Sequence, residues 1–447
     1  MKTFSKTCVA AALLLASFAQ AEARQWTLGD CVNYALANNI SLKKTKVQQL
    51  TALEDVKQSQ AALLPSLDFS TSQNITYRPW PESGRQTVAN GYVQSSVDKT
   101  YYNGSYSVSG NWTVWNGGRN TNQVKLNKLT EQKAVLDSAQ TANSILEQIA
   151  QLYVQILYSN EAIKVNKSSL ETSKANEERG KTMVGVGKMS KADLAQLTSQ
   201  RAQDEYNIVE AESNLRNYKR QLKQLLQITN DDEFDVAVPE ATDAMALEAV
   251  PALNDVYTAT IEHRPEIKAA QLGVESSDLS LKIAKAQRMP TIGLNLGVGT
   301  NTTSMSNDAW GSQMKTNFNV GGGVTLSIPL FDNRSSKTAA NKAMLQRESY
   351  MLDMKDKQTT LYSTVVNYWL QAVTNQNKFK AAQVSTQSAQ ESYDLLSEQF
   401  RLGLKNIVEL MTGKDNLLKA QQNELQSKYL AILNLNMLNF YKTGELK

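Results

Sequence analysis

A reaction centre needs side chains that bind a metal, move a proton or attack an electrophile, and this chain offers few. It has one His, at position 263, and two Cys, at positions 8 and 31. That set cannot supply the three or four ligands of a metal centre. His263 stands before Arg264-Pro265, where the spacing predicts a helix start with Pro265 in its first turn. Cys31 lies in the amphipathic run Cys31-Val32-Asn33-Tyr34-Ala35-Leu36 and reads as a small core residue. Gly321-Gly322-Gly323 is Gly-rich like a phosphate loop, yet it continues an alternating pattern and opens no helix, so it reads as small side chains on a strand. Trp80 and Trp310 fall between strands and read as girdle or loop-packing residues. Glu177-Glu178-Arg179 and Lys219-Arg220 read as solvated helix faces. Nowhere do a nucleophile, a base and an orienting partner come together. The expectation is a non-enzyme with no cofactor and no metal.

The elements that carry these residues follow from composition. Of 447 residues, 47 are Lys or Arg and 43 Asp or Glu, a net charge of +4 that argues against a general nucleic-acid binder. Mean hydropathy is −0.41, which excludes a bundle of transmembrane helices, each needing about 20 apolar residues in a row. Only 8 residues are Pro, which points to long uninterrupted elements. Lys2 and Lys6 precede the apolar run Val9 to Phe18, and Ala19-Gln20-Ala21 or Ala21-Glu22-Ala23 offers a small-residue cleavage site. Residues 1–23 therefore read as a secretory signal peptide, too short to span a bilayer of about 30 Å. Cys8 lies inside it, without the small residues of a lipoprotein site. The exported chain then keeps Cys31 alone and forms no internal disulfide.

The mature chain is written twice. Leu28-Gly29-Asp30 and Asn38-Asn39-Ile40-Ser41-Leu42 align with Leu253-Asn254-Asp255 and His263-Arg264-Pro265-Glu266-Ile267. At the same offset, Leu64-Pro65-Ser66 aligns with Met289-Pro290-Thr291. Further on, Val186-Gly187-Lys188 aligns with Leu402-Gly403-Leu404 at a shorter offset, and the loss lies between Pro65–Trp115 and Pro290–Phe331. Residues 24–228 and 253–447 read as two repeat units, joined by an acidic connector at 229–252. Each unit runs helix, strands (about 66–115 and 290–331), long helix, Gly turn (near 185–190 and 402–406), second helix.

The strands announce themselves by period two. Tyr102, Gly104, Tyr106, Val108, Gly110, Trp112 and Val114 share one face; Asn103, Ser105, Ser107, Ser109, Asn111 and Thr113 share the other. Ile292, Leu294, Leu296 and Val298 repeat the pattern, as do Phe318, Val320, Val324, Leu326 and Ile328. Ser66 to Tyr77 is a weaker fourth case. An apolar face backed by small uncharged polar residues suits a membrane barrel, lipid outside and water inside. Tyr77, Trp80, Tyr101, Tyr102, Trp112 and Trp115 cluster near segment ends, as an aromatic girdle would. Four strands cannot close, because the smallest barrels use about eight and lipid does not tolerate open edges. Several chains must therefore pool their strands.

Arg119 to Val184 and Ser335 to Phe400 contain no Pro and carry coiled-coil spacing, such as Ala142, Ile145, Ile149, Leu152 and Ile156. About 65 helical residues reach about 100 Å. Both runs stop at Gly-bearing turns, Gly185-Val186-Gly187 and Gly403-Leu404. Ser190 with Asp193, and Asn406 with Glu409, then form helix N-caps, so each chain segment doubles back as an antiparallel hairpin.

Over essentially the whole mature chain the sequence resembles the TolC family of outer-membrane efflux proteins. The likeness rests on the duplicated layout, the LPS and MPT strand starts, Arg264-Pro265-Glu266-Ile267, and the turn segments VGVGKMSKADL and FRLGLKNIVEL. The resemblance implies a mainly α fold with membrane β: a homotrimer whose four strands per chain build one 12-stranded outer-membrane β-barrel, above a periplasmic α-barrel of long antiparallel hairpins. It implies a passive exit duct fed by an inner-membrane transporter through a periplasmic adaptor, gripping the hairpin tips at Gly185, Val186, Gly187, Ser190, Leu402, Gly403, Leu404 and Asn406. The best-known members close their periplasmic entrance with carboxylates, and the corresponding stretch here is Thr374-Asn375-Gln376-Asn377, without an acid. Polar or hydrophobic packing would then close this pore. The competing class is a periplasmic coiled-coil adaptor or scaffold without its own pore, whose β segments form a soluble domain. Cargo is not written in the sequence.

Overall fold

A computed structural model describes residues 25–80, 86–89, 92–95, 99–229, 234–239 and 241–446. The expected signal peptide lies outside these residues, as do Asp231, Asp232, Glu233 and Glu240 of the connector. Two compact units emerge. The helical unit comprises the described residues up to Val47, Leu136–Ala269 and Lys355–Lys447; the strand unit comprises Gln48–Val135 and Ala270–Met354.

One order of elements occurs twice. Strand β1 (Gln25–Trp26) leads into α1 (Leu28–Asn38), α2 (Ile40–Ala61), β2 (Ser66–Tyr77), β3 (Gln86–Ala89), β4 (Tyr92–Ser95), β5 (Thr100–Trp115), α3 (Arg119–Gly185) and α4 (Lys191–Leu226). After β6 (Asp235–Val236) and the short α5 (Asp243–Ala246) come α6 (Leu253–His263), α7 (Pro265–Ala286), β7 (Thr291–Thr303), α8 (Trp310–Thr316), β8 (Asn319–Ser327), α9 (Ser335–Arg401) and α10 (Ile407–Thr443). α3 and α9 are each 67 residues long.

Three features differ from expectation. The opening helix of each copy is two helices, broken at Asn39 and at Arg264-Pro265. Buried Asn39 accepts from the Ser41 N–H at 2.9 Å and donates to the Leu225 carbonyl at 2.9 Å, tying the break to α4. His263 ends α6 rather than starting a helix, while Pro265 opens α7, where its missing N–H costs nothing. Between the strands the first copy holds the β3–β4 hairpin and the second holds α8. Helix α8 is pinned by the Gln313 side chain, which accepts from the Thr303 N–H at 2.7 Å, and Trp310 stacks edge-on to Tyr106.

In the strand unit β2, β5, β7 and β8 form one antiparallel sheet in that order, leaving β2 and β8 as edges. Register aligns faces across the whole sheet. Phe69, Val108, Val298 and Val320 form one row, and Ser70, Ser107, Gly299 and Asn319 the next, on the opposite face.

The helical unit holds the core. Ile149, Ile156, Leu222, Leu226, Cys31 and Val236 bring α1, α3, α4 and β6 together. Val256, Ile267, Val365, Leu438 and Phe440 join α6, α7, α9 and α10. Each such side chain contributes roughly 1.5–3 kcal/mol by leaving water. Burial pushes the Cys31 thiol, and the Tyr153 and Tyr429 phenols, up to about 12. An unfolded chain releases those protons at about 9 to 10, whereas the folded chain keeps them, so folding stability is complete below pH 9 and falls as pH rises toward 12. A urea midpoint that is flat to pH 9 and drops across pH 10–12 is expected, with a shallower drop in Tyr429→Phe. A midpoint unchanged up to pH 12 would contradict this.

Candidate functional site

The two hairpin turns are built alike. α3 ends at Gly185; the Gly187 N–H reaches the Val184 carbonyl at 3.0 Å and the Lys188 N–H reaches Met183 at 2.8 Å. In the second turn the Gly403 N–H reaches Phe400 at 3.0 Å and the Leu404 N–H reaches Gln399 at 2.9 Å. These are Schellman turns, which need a left-handed residue; Gly187 and Gly403 take φ of +75° and +76°. The chain then re-enters a helix at Ser190, whose hydroxyl accepts from the Asp193 N–H at 3.0 Å, and at Asn406, which forms a reciprocal capping box with Glu409. The Lys405 ammonium at 2.6 Å, with the Asn406 N–H, holds the Glu409 carboxyl below the usual range. Val186, Leu402 and Leu404 stand bare, Leu404 at 71% exposure. All eight residues expected at the tips therefore lie in or beside the two turns, which present apolar side chains on rigid caps.

The stretch expected to close the pore, residues 374–377, lies within α9. Thr374 and Asn377 are exposed, but Asn375 is buried and Gln376 donates to the Ala246 and Glu248 carbonyls at 3.0 and 2.6 Å. Gln376 belongs to a ladder on α9 that the sequence reading missed. Trp369 donates to the Pro251 carbonyl at 3.1 Å, and Gln383 to the Asp243 carboxylate at 2.9 Å. Lys428 of α10 completes the clasp on Asp243 at 2.8 Å. Positions 369, 376 and 383 repeat every seven residues, so the helix repeat was a signal for this strap.

Glu177, expected on a solvated face, is instead buried and pairs with Arg201 at 2.7 Å, and two further charge centres were missed. Lys414 of α10 pairs with Asp204 of α4, and the Ser173 hydroxyl of α3 accepts from Lys414 at 2.6 Å while donating to Asp204. Arg264, between α6 and α7, sits 3.7 Å from the Tyr441 ring centroid and bonds Glu147 at 3.0 Å, tying that break to α3 and α10. Both centres pair residues more than a hundred positions apart in sequence.

The sheet supplies the remaining surface. Leu67, Phe69, Leu296, Val320, Val324 and Leu326 leave one face bare, with Val324 72% exposed. The other face is Ser, Asn, Thr and Gly with one Asp, Asp68, and the hydroxyls of Ser70 and Ser107 pair at 2.7 Å and those of Ser72 and Ser105 at 2.8 Å. A soluble scaffold would need that apolar face covered. No helix among the described residues is long and apolar enough to cross a membrane. Among the described residues no three His, Cys, Asp or Glu side chains group as a metal site.

A sheet with one lipid-type face and one water-type face, carried with long capped hairpins, defines a membrane channel of the outer-membrane exit type. The comparisons agree. The chain belongs to the outer membrane efflux protein family, whose model matches residues 31–227 and 256–441. It is 22% identical over 408 residues to the toxin and drug export protein A of Aggregatibacter actinomycetemcomitans, covering 91% of this chain and 83% of that one. It is 20% identical over 422 residues to the outer membrane protein TolC of Escherichia coli, covering 90% and 78%. The solved outer membrane protein VceC of Vibrio cholerae superposes with a TM-score of 0.75 at 15% identity, over 92% of this chain and 95% of that one. The protein is an outer-membrane efflux channel extending into the periplasm.

Proposed function

We propose that three copies of this chain assemble into one duct, with twelve strands forming a closed barrel in the outer membrane and the hairpins forming a periplasmic tube. The observation that carries this reading is the four-stranded sheet whose edges β2 and β8 are unpaired beside a bare apolar face. Unpaired edges are not stable in lipid, and three sheets of four exceed the roughly eight strands a barrel needs. The two-copy layout, with units at 24–228 and 253–447 and a connector at 229–252, is part of the same proposal; the matching element order supports it.

A periplasmic adaptor grips the tips at residues 185–190 and 402–406, and an inner-membrane transporter supplies the energy and selects the cargo. The bare Val186, Leu402 and Leu404 on capped, rigid turns support that docking role. A closing role at residues 374–377 would fall to Thr374 and Asn377, since Asn375 and Gln376 are engaged elsewhere. The channel performs no chemistry of its own. Purified protein is expected to run as a trimer in light scattering and to conduct ions in planar bilayers. A monomer, or a silent bilayer, would refute the pooled barrel.

A further inference from the structure

The four strands of the sheet contain a single Asp, Glu, Lys, Arg or His residue, Asp68. It lies on the face of small polar residues, in register with Ser109, and the same row continues through Gly297 and Gly321. Its carboxylate is exposed and no hydrogen bond or ion pair among the described residues engages it. The neighbouring hydroxyls are already satisfied by each other, as Ser70–Ser107 and Ser72–Ser105 pairs. A lone, unneutralised carboxylate on a row of Ser and Gly faces nothing that screens it except water and ions.

We infer that Asp68 sets the ion preference of the barrel section, as a ring of three carboxylates at one level of the lumen. This rests on the proposed trimer with its polar face inward, and goes beyond it by naming the residue that determines selectivity there. The physics gives the inference a signature. Twelve strands spaced about 4.8 Å apart and tilted about 40° give a wall radius of about 12 Å. The Debye length is about 10 Å at 0.1 M salt and about 30 Å at 0.01 M. The ring's field therefore fills the lumen at low salt and is largely screened at high salt. Rings of acidic side chains favour cations, so the wild-type channel should prefer K+ over Cl− more strongly as salt falls.

The test is the reversal potential of single channels in a KCl gradient between 0.1 and 0.01 M. Asp68→Asn is expected to lower the K+/Cl− permeability ratio by about twofold or more, and Asp68→Lys to lower it further toward anion preference. Asp68→Cys, modified by thiol reagents carrying a positive or a negative charge, varies the same charge on an assembled channel; Cys31 is buried, so the background is low. A ratio that follows the sign of the charge at position 68 supports the assignment. Conducting channels with an unchanged ratio across these variants overturn Asp68 alone. A wild-type protein that does not conduct overturns the trimeric duct, and this assignment with it.

Discussion

Asp204→Ala is expected to destabilise the protein by about 3–5 kcal/mol, the loss typical of stranding one partner of a buried ion pair. Lys414 is 4% exposed and Asp204 2%, so neither can turn to bulk water when the other is removed. The adjoining cavity, lined by Ser173, Asn176, Leu197, Gln200, Leu410, Met411 and Lys414, measures about 10 Å3. That holds at most one water, too little to replace a carboxylate. Ser173 would keep one bond to the ammonium but leave its charge uncompensated.

The paired replacement Asp204→Leu with Lys414→Met should cost far less than the single change, because desolvating both charges offsets much of their attraction. Urea midpoints for Asp204→Leu, Lys414→Met and the double variant close a mutant cycle. Losses that simply add would show that the pair is not coupled, against the contact seen between α4 and α10. The same reasoning assigns this centre a register role, since it fixes one residue of α3, one of α4 and one of α10 at a common level.

How much of this was legible in sequence depended on whether the cause was local. Strand faces follow from alternation at residues 102–114 and 292–298, and caps from Ser190 with Asp193 and Asn406 with Glu409; each signal fits within a few residues. The break at Asn39 is harder, because what fixes it is the Leu225 carbonyl in another helix. Arg264 stands at the same break in the second copy and is anchored instead by Glu147 and the Tyr441 ring. Nothing in Lys414 distinguishes it from a solvated helix lysine until its two partners are known. His263 was misplaced for a different reason. A Pro signals a helix start, but here the preceding helix ends only at His263, leaving Arg264 as the sole residue between them. The pore-closing stretch was placed by resemblance rather than by residues. The strap that occupies Gln376 reflects a seven-residue repeat of donors, which apolar periodicity does not reveal.

The second large effect concerns the tips. Gly187→Asp combined with Gly403→Asp should leave cells as sensitive as a deletion strain, scored on a panel of dyes, detergents and metal salts, while trimer assembly persists. The backbone argument comes first. Both glycines hold left-handed φ, and a Cβ at either would meet no atom within 4 Å, so the cost is conformational rather than steric. That strain is about 1–2 kcal/mol per site, less for Asp, which tolerates the left-handed region better than most residues. A core of Leu197, Tyr393, Phe400, Ile407 and Leu410 lies beside the turns, but the space at both glycines is open, so its packing stays in place, and the strand sheet is untouched.

What changes is the surface. A carboxylate would stand within one or two residues of Val186 in one turn and of Leu402 and Leu404 in the other, where a docking partner must exclude water. Burying an unpaired charge there costs several kcal/mol per site, enough to reduce docking by several orders of magnitude. The control is Gly187→Ala with Gly403→Ala, which carries the backbone strain without the charge and should retain most export. If the Asp pair exports normally, the tips are not the docking surface. If the Ala pair fails as badly, turn geometry is the determinant and not the apolar side chains.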